Sequence, residues 1–152
     1  MNIVSGASFT TGFTLTSAVT TVLPFNLVIA SNAAGLSTFN TATGVFTVAE
    51  SGPYRVDYNV AFLLPTATAA NSSLQIAVRQ NLTSASSSIF TQPQLTATTN
   101  IFNISSYYIG DFVAGDSIAV TALASIAGII VLGPAFNAIA PYNTNMIVTS
   151  LF

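Results

Sequence analysis

Apolar residues along this chain recur mainly at every second position, in short runs separated by clusters of Gly, Pro, Asn and Ser. The clearest run is Tyr54 to Leu64. A period of two places Tyr54, Val56, Tyr58, Val60 and Phe62 on one face of a strand, and Arg55, Asp57, Asn59 and Ala61 on the other. Gly52-Pro53 is the predicted turn into this strand, since Gly tolerates positive φ and Pro fixes its own. Thr43-Gly44 marks a second turn, with a short strand from Val45 to Ala49 between the two. Within Ser73 to Gln80, Leu74, Ile76 and Val78 alternate with Gln75, Ala77 and Arg79, the pattern of a half-exposed strand. Further strands are predicted at Phe13 to Leu15, Val19 to Leu23, Asn26 to Ala30, Ile101 to Ile109, Ser117 to Leu123, Gly128 to Leu132 and Asn145 to Phe152. Met146 to Phe152 is apolar on both faces, as expected of a strand between a core and a subunit interface. Pro65 to Asn71 and Asn81 to Thr99, rich in Ser, Thr and Ala, are predicted as long loops. Helical periodicity and internal repeats are absent. The pattern predicts an all-β sandwich or jelly roll in a single domain over residues 1–152.

Ile118 to Ala140 is long and apolar enough to suggest a membrane span. It contains Gly128, Gly133, Pro134 and Asn137 and has no Lys or Arg beside it to set an orientation. Two buried strands broken at Gly133-Pro134 account for it better, so no membrane span is expected. The segment MNIVSGASFTTG has neither a basic start nor a sustained apolar stretch, and a signal peptide is not expected there.

The stretch from Phe39 to Tyr58 carries a distinctive spacing: Phe39, Phe46, Gly52, Tyr54, Val56 and Tyr58. It resembles the signature of the globular heads of the complement subcomponent q and tumour necrosis factor (TNF) superfamily. The turn Phe112-Val113-Ala114-Gly115-Asp116-Ser117-Ile118 resembles that family's late Leu-x-x-Gly-Asp-x-Val turn, and an apolar final strand follows as it does there. Val56 stands where the family usually has Phe, and Val28 and Ala34 occupy its upstream Phe and Asn/Asp positions. The resemblance implies a ten-strand jelly-roll sandwich of the TNF-like type that assembles as a homotrimer. Its charge-poor composition, rich in Ala, Thr, Ser and Val, looks most like the C-terminal domain of the collagen-like glycoprotein of the bacterial spore surface, the exosporium. No Gly-X-Y repeat occurs in the chain itself.

Composition sharpens this picture. Hydrophobic residues make up 51% of the chain and charged residues only 4%, against about 25% charged in ordinary soluble domains. Ser and Thr are about a quarter of the sequence, so water is met mostly by neutral hydroxyls and amides. A large apolar remainder suits an obligate oligomer or a protein packed in a surface layer, because monomers rarely expose extensive apolar patches. Arg55 and Arg79 are the only basic side chains. Phosphate-backbone binding needs clusters of Lys and Arg, so nucleic acid is excluded as a partner. Cysteine is absent and gives no disulfide framework or compartment clue.

The absence of His, Cys and Lys removes the usual catalytic bases, thiols and Schiff-base amines. The acids are Glu50, Asp57, Asp111 and Asp116. Asp57 beside Arg55 reads as a solvated ion pair, and Asp116 after Gly115 as a turn residue. Asp111 and Asp116 flank one turn, and they are the only calcium candidates. Calcium wants six to eight oxygens, so carbonyls or other copies would have to complete such a site. No cofactor is otherwise expected. Asn71-Ser72-Ser73, Asn81-Leu82-Thr83 and Asn103-Ile104-Ser105 match the glycosylation pattern at about the frequency chance predicts. Tyr107, Tyr108, Tyr142 and the Phe residues are candidates for a sugar platform, although aromatic residues of a jelly roll are more often core or seam.

The sequence therefore predicts a non-catalytic, self-trimerising head domain at an extracellular, cell or spore surface, with other surface-layer proteins or glycans as further partners. A viral capsid or phage tail-tip jelly roll and a carbohydrate-binding adhesion module are the alternatives.

Overall fold

The computed structural model describes residues 2–8, 13–31, 37–64, 72–92, 101–132 and 144–152. Among these lie thirteen strands: β1 (Asn2–Ser8), β2 (Phe13–Thr14), β3 (Thr21–Val22), β4 (Leu27–Ser31), β5 (Ser37–Asn40), β6 (Val45–Val48), β7 (Gly52–Leu63), β8 (Ser72–Gln80), β9 (Thr83–Gln92), β10 (Ile101–Phe112), β11 (Ser117–Ala124), β12 (Ile130–Val131) and β13 (Asn145–Ser150). They form two antiparallel sheets. The first is built around β7, with β10 along one edge from Ile101 opposite Leu63 to Phe112 opposite Gly52. The other edge of β7 is shared: β13 pairs with Tyr54 to Asn59, and β12 with Phe62 and Leu63. Beyond β13 lie β1 and then β4. The second sheet runs β5-β6-β11-β8-β9, with β3 also against β11.

Ala61 lies where β12 and β13 part, and the ladder there is completed by a side chain. Its N–H donates to Thr144 Oγ1 at 3.0 Å, while its carbonyl accepts from the Thr144 hydroxyl at 3.3 Å and the Leu132 N–H at 2.8 Å. Thr144 is fully buried. A strand edge without a neighbouring backbone thus keeps its polar groups satisfied inside the core.

The core lies between the sheets. Phe46, Tyr54, Val56, Val60, Phe62, Leu74, Ile76, Val78, Ile118 and Val120 have essentially no exposed surface, and Tyr58 is 2% exposed. Alternation along β7 explains this directly, since residues two apart share one side of the pleat. Phe39 packs partly buried against the same cluster. Tyr54 meets Phe112 and Phe152 edge-on at 5.9 and 5.5 Å. Gly52, at φ +155°, leaves the room that Phe152 fills; a Cβ there would stand 2.6 Å from its ring.

Each of the ten predicted strands is found, and three further ones appear. β1 and β5 are among them. The third, β9, corrects the expected Asn81 to Thr99 loop: Thr83–Gln92 pairs along β8 from Gln80–Thr83 to Ser72–Gln92. Its Ser/Thr-rich sequence hides the alternation, but an edge strand needs only backbone partners and a turn that folds it back. Asn81 and Leu82 supply that turn, with φ of 50° and 67°, the paired positive values of a two-residue hairpin loop. A smaller correction concerns Gly52-Pro53. These residues already belong to β7 and sit opposite Phe112 and Asp111, so the turn precedes them. In the Ile118 to Ala140 stretch, β11 and β12 are parted by a turn at residues 125–129, ahead of the expected break at Gly133-Pro134, and residues 133–140 lie outside the described residues. No helix among the described residues is long and apolar enough to cross a membrane.

Candidate functional site

The outward side of the first sheet presents three rows of residues across β10, β7 and β13. These are Ile109–Arg55–Thr149, Tyr107–Asp57–Ile147 and Ser105–Asn59–Asn145. Because β7 alternates, the same period that buries Tyr54, Val56 and Tyr58 turns Arg55, Asp57 and Asn59 outward. Arg55 Nε donates to both Asp57 oxygens at 3.0 and 2.9 Å, and Nη2 donates to Oδ1 at 2.7 Å. The guanidinium also lies over the Tyr107 ring, 4.5 Å from its centroid. Hydrogen bonding to Asp57 pushes the Arg55 pKa up, so the group stays charged. Ser105 Oγ donates to Asn59 Oδ1 at 2.6 Å. Tyr107 and Ile109 remain 54% and 50% exposed. Beside them is a trough of about 350 Å³ lined by Asp57, Asn59, Ser105, Tyr107 and Asn145.

The outward side of the second sheet differs. Ala77, Ala119 and Thr121 occupy outward positions of β8 and β11, yet all three are buried. Arg79 Nε donates to Thr121 Oγ1 at 3.2 Å, and β3 pairs with β11 at Thr121 and Ala122. On the same side Gln75, Arg79 and Leu123 stay partly exposed.

The second polar cluster gathers at the turn between β10 and β11. Gly115 adopts φ +96°, open to Gly but strained for other residues, and its N–H donates to the Val48 carbonyl at 2.7 Å. Asp116 Oδ2 accepts from the Val113 N–H at 2.9 Å and Gln80 Nε2 at 2.8 Å; Oδ1 accepts from Asn81 Nδ2 at 2.6 Å. Hydrogen bonds from Val113, Asn81 and Gln80, in that order, hold the Asp116 pKa below the usual carboxylate range. The carboxylate therefore joins the β8–β9 hairpin to the β10–β11 turn using N–H donors. Asp111 is exposed at the other end of the turn, and its carbonyl accepts from Gln80 Nε2 at 3.3 Å. No group of three or more His, Cys, Asp or Glu residues that could hold a metal occurs among the described residues.

Glu50 is exposed, and its carbonyl accepts the Tyr54 hydroxyl at 2.6 Å. Burial, then the Glu50 charge, pushes the Tyr54 pKa up. The two adjacent tyrosines do not form one platform. Tyr107 points outward, whereas Tyr108 packs edge-on to Phe112 at 6.3 Å on the inner side. Tyr142 and Asn71 lie outside the described residues. Asn81 is exposed, but its amide is engaged at both ends, since Oδ1 also accepts from the Ser117 N–H at 2.9 Å. Sequence spacing signalled the Arg55–Asp57 pair. It carried no signal for the stacking of Tyr107 on Arg55, nor for Gln80 and Asn81 reaching Asp116, because these contacts join separate strands.

Over its whole length the chain is similar in fold to two solved structures. Eiger TNF from S. frugiperda superposes with a TM-score of 0.68 at 12% identity, covering 100% of this chain and 94% of that one. The globular domain of zebrafish complement 1qA protein gives a TM-score of 0.62 at 11% identity, covering 99% of this chain and 98% of that one. No family model and no curated protein matches the sequence. The likeness is one of fold: two antiparallel sheets arranged as in the TNF and complement-q jelly rolls.

Proposed function

We propose that this chain is a non-catalytic head domain that assembles as a homotrimer at an extracellular surface, of the kind found on bacterial cells and spores. The observation that carries this reading is the first sheet's outward face. It leaves two large apolar side chains, Tyr107 and Ile109, half exposed on one sheet face. Removing that apolar surface from water stabilises assembly by roughly 25 cal/mol per Å². A trimer is the assembly implied by the resemblance around Phe39, Phe46, Gly52, Tyr54 and Tyr58. The non-catalytic reading is supported by the engagement of the acids. Asp57 is held by Arg55 and Asp116 by N–H donors, and no His, Cys or Lys can act as base or nucleophile.

The direct test is light scattering on a size-exclusion peak at micromolar concentration. The expected mass is three times the 15.7 kDa chain. A monomer at every concentration would overturn this function.

A further inference from the structure

We propose that a hollow on the second sheet, away from the face that carries the assembly reading, is a binding pocket for an uncharged acetamido group. N-acetylated sugars and N-acetylated amines both carry that group.

The pocket has a volume of about 310 Å³ and is lined by Ala18, Ser73, Gln75, Leu123, Ala124 and Ser125. Ligand pockets span roughly 300–1,000 Å³, so this one has room for a single ring or one side group. Its position follows from the strand ladder. Gln75 of β8 stands opposite Leu123 of β11, and both face outward because Leu74, Ile76, Ala122 and Ala124 beside them are buried in the core. On the other edge of β11, Ser17 bridges Ala124 and the Ala18 N–H donates to the Ala124 carbonyl at 2.8 Å. Leu123 thus lies between Ala18 and Gln75. Ser125 ties the end of the pocket together. Its N–H donates to the Ser73 carbonyl at 2.9 Å and its Oγ accepts from the Ser73 N–H at 2.7 Å. Its carbonyl accepts from the Ser17 hydroxyl at 3.0 Å. Separate segments are therefore locked around the hollow before any ligand arrives, which lowers the cost of binding.

The lining defines the ligand. Leu123 and Ala18 offer a methyl-sized apolar group a place out of water. Beside them stands the Gln75 amide, with N–H donors and a carbonyl acceptor. Among the described residues none hydrogen-bonds that side chain. Its complement is another amide, whose carbonyl accepts from the Gln75 N–H while its own N–H donates to the Gln75 carbonyl. An amide attached to a methyl matches both halves of the pocket. No ionisable side chain lines it, and the cation on this face, Arg79, is engaged by Thr121 Oγ1 and the Leu82 carbonyl. A charged ligand would lose hydration there without meeting a countercharge. Ala18 adds a second sign. Its φ is 59°, a conformation that glycine holds without strain and alanine does not. The alanine keeps a methyl at the pocket where glycine would leave a gap.

The test follows the Ala18 and Leu123 methyl groups by NMR during titration with N-acetylglucosamine, N-acetylglycinamide, glucose and acetate. The first two separate the sugar source from the acetylated-amine source. Glucose has the ring without the acetamido group, and acetate has the methyl with a charge. Saturable shifts at both methyls are expected with at least one acetamido compound, and none with glucose or acetate. Gln75→Leu removes the amide and should weaken binding by ~10-fold. Ala18→Gly should melt at or above the parent temperature, yet bind about 3-fold more weakly through the lost methyl contact. Equal shifts from glucose or acetate would overturn the acetamido reading, as would no response to either acetamido compound or undiminished binding by Gln75→Leu. Should Gln75→Leu fail to fold, Ala18→Gly decides in its place. Oligomeric state enters none of these outcomes, so a monomeric chain would overturn the assembly reading and leave the pocket standing.

Discussion

Replacing Thr144 with Val isolates one hydrogen-bonding group at the centre of the first sheet. The two side chains have nearly the same shape, so packing around the buried site is preserved. What disappears is the hydroxyl that accepts from Ala61 N–H at 3.0 Å. The Ala61 carbonyl still accepts from Leu132 N–H at 2.8 Å, so the loss falls on the N–H. Ala61 itself is buried, and no strand backbone pairs with it on this edge of β7. A buried donor left without an acceptor costs about 1–3 kcal/mol. At roughly 2–4 °C per kcal/mol for a chain of this size, the melting temperature should fall by about 2–12 °C. Thr144→Ser is the companion. It keeps the hydroxyl and removes one methyl group, at about 1 kcal/mol. Thermal melts at fixed protein concentration measure both, and amide hydrogen exchange separates the causes. The Ala61 amide should lose protection in the Val variant and largely keep it in the Ser variant. If Thr144→Val melts like the parent with Ala61 equally protected, the side-chain completion of the ladder is wrong.

Tyr58→Ala should cost about 3–5 kcal/mol by thermal or urea melts, since its ring is 2% exposed in the core; an unchanged melt would reverse the assigned faces of β7. Leu82→Gly should gain about 1 kcal/mol, because a side chain at φ 67° is strained and this one is 69% exposed. A loss of stability would mean that Leu82 makes contacts absent from the single chain. Stability should form a plateau through neutral pH, as no His or Cys titrates there. Asp116, with its pKa held low in the fold, contributes stability above its unfolded pKa of about 3.9 that is lost as pH falls through the folded value. Tyr54, with its pKa pushed up, contributes below about pH 10 and loses its contribution as pH rises through the folded value. Melts from pH 2 to 11 should show both edges, and Asp116→Asn should flatten the acid one. EDTA added to protein prepared in calcium should leave mass and melting temperature unchanged; dissociation would make Asp111 and Asp116 ligands.

Much of this architecture was legible along the chain because a strand's alternation is a local property. The faces of β7, the half-exposed pattern of β8 and the turn at Gly115-Asp116 depend on residues close in sequence, and so does the Arg55–Asp57 pair. Val56 fits the inner face as well as the Phe usual in the resembling family, since burial asks only for an apolar group of suitable size. Neighbour relations were not legible in the same way. Backbone ladders carry no side-chain code, so Ser-rich β9 could pair along β8 without announcing itself. For the same reason, nothing in Asn2–Ser8 declared a place between β13 and β4.

The contacts that shape the candidate face come from these neighbour relations. Tyr107 reaches Arg55 only because β10 lies against β7 in one register, and a slip of a single residue would turn it into the core. Asp116 finds Asn81 because two turns end at the same pole of the sandwich, and Thr144 meets Ala61 where two strands diverge. Period and composition set which residues seek the interior and how little charge the surface holds. Register and strand order, settled by the joint packing of both sheets, decided which outward residues stand together.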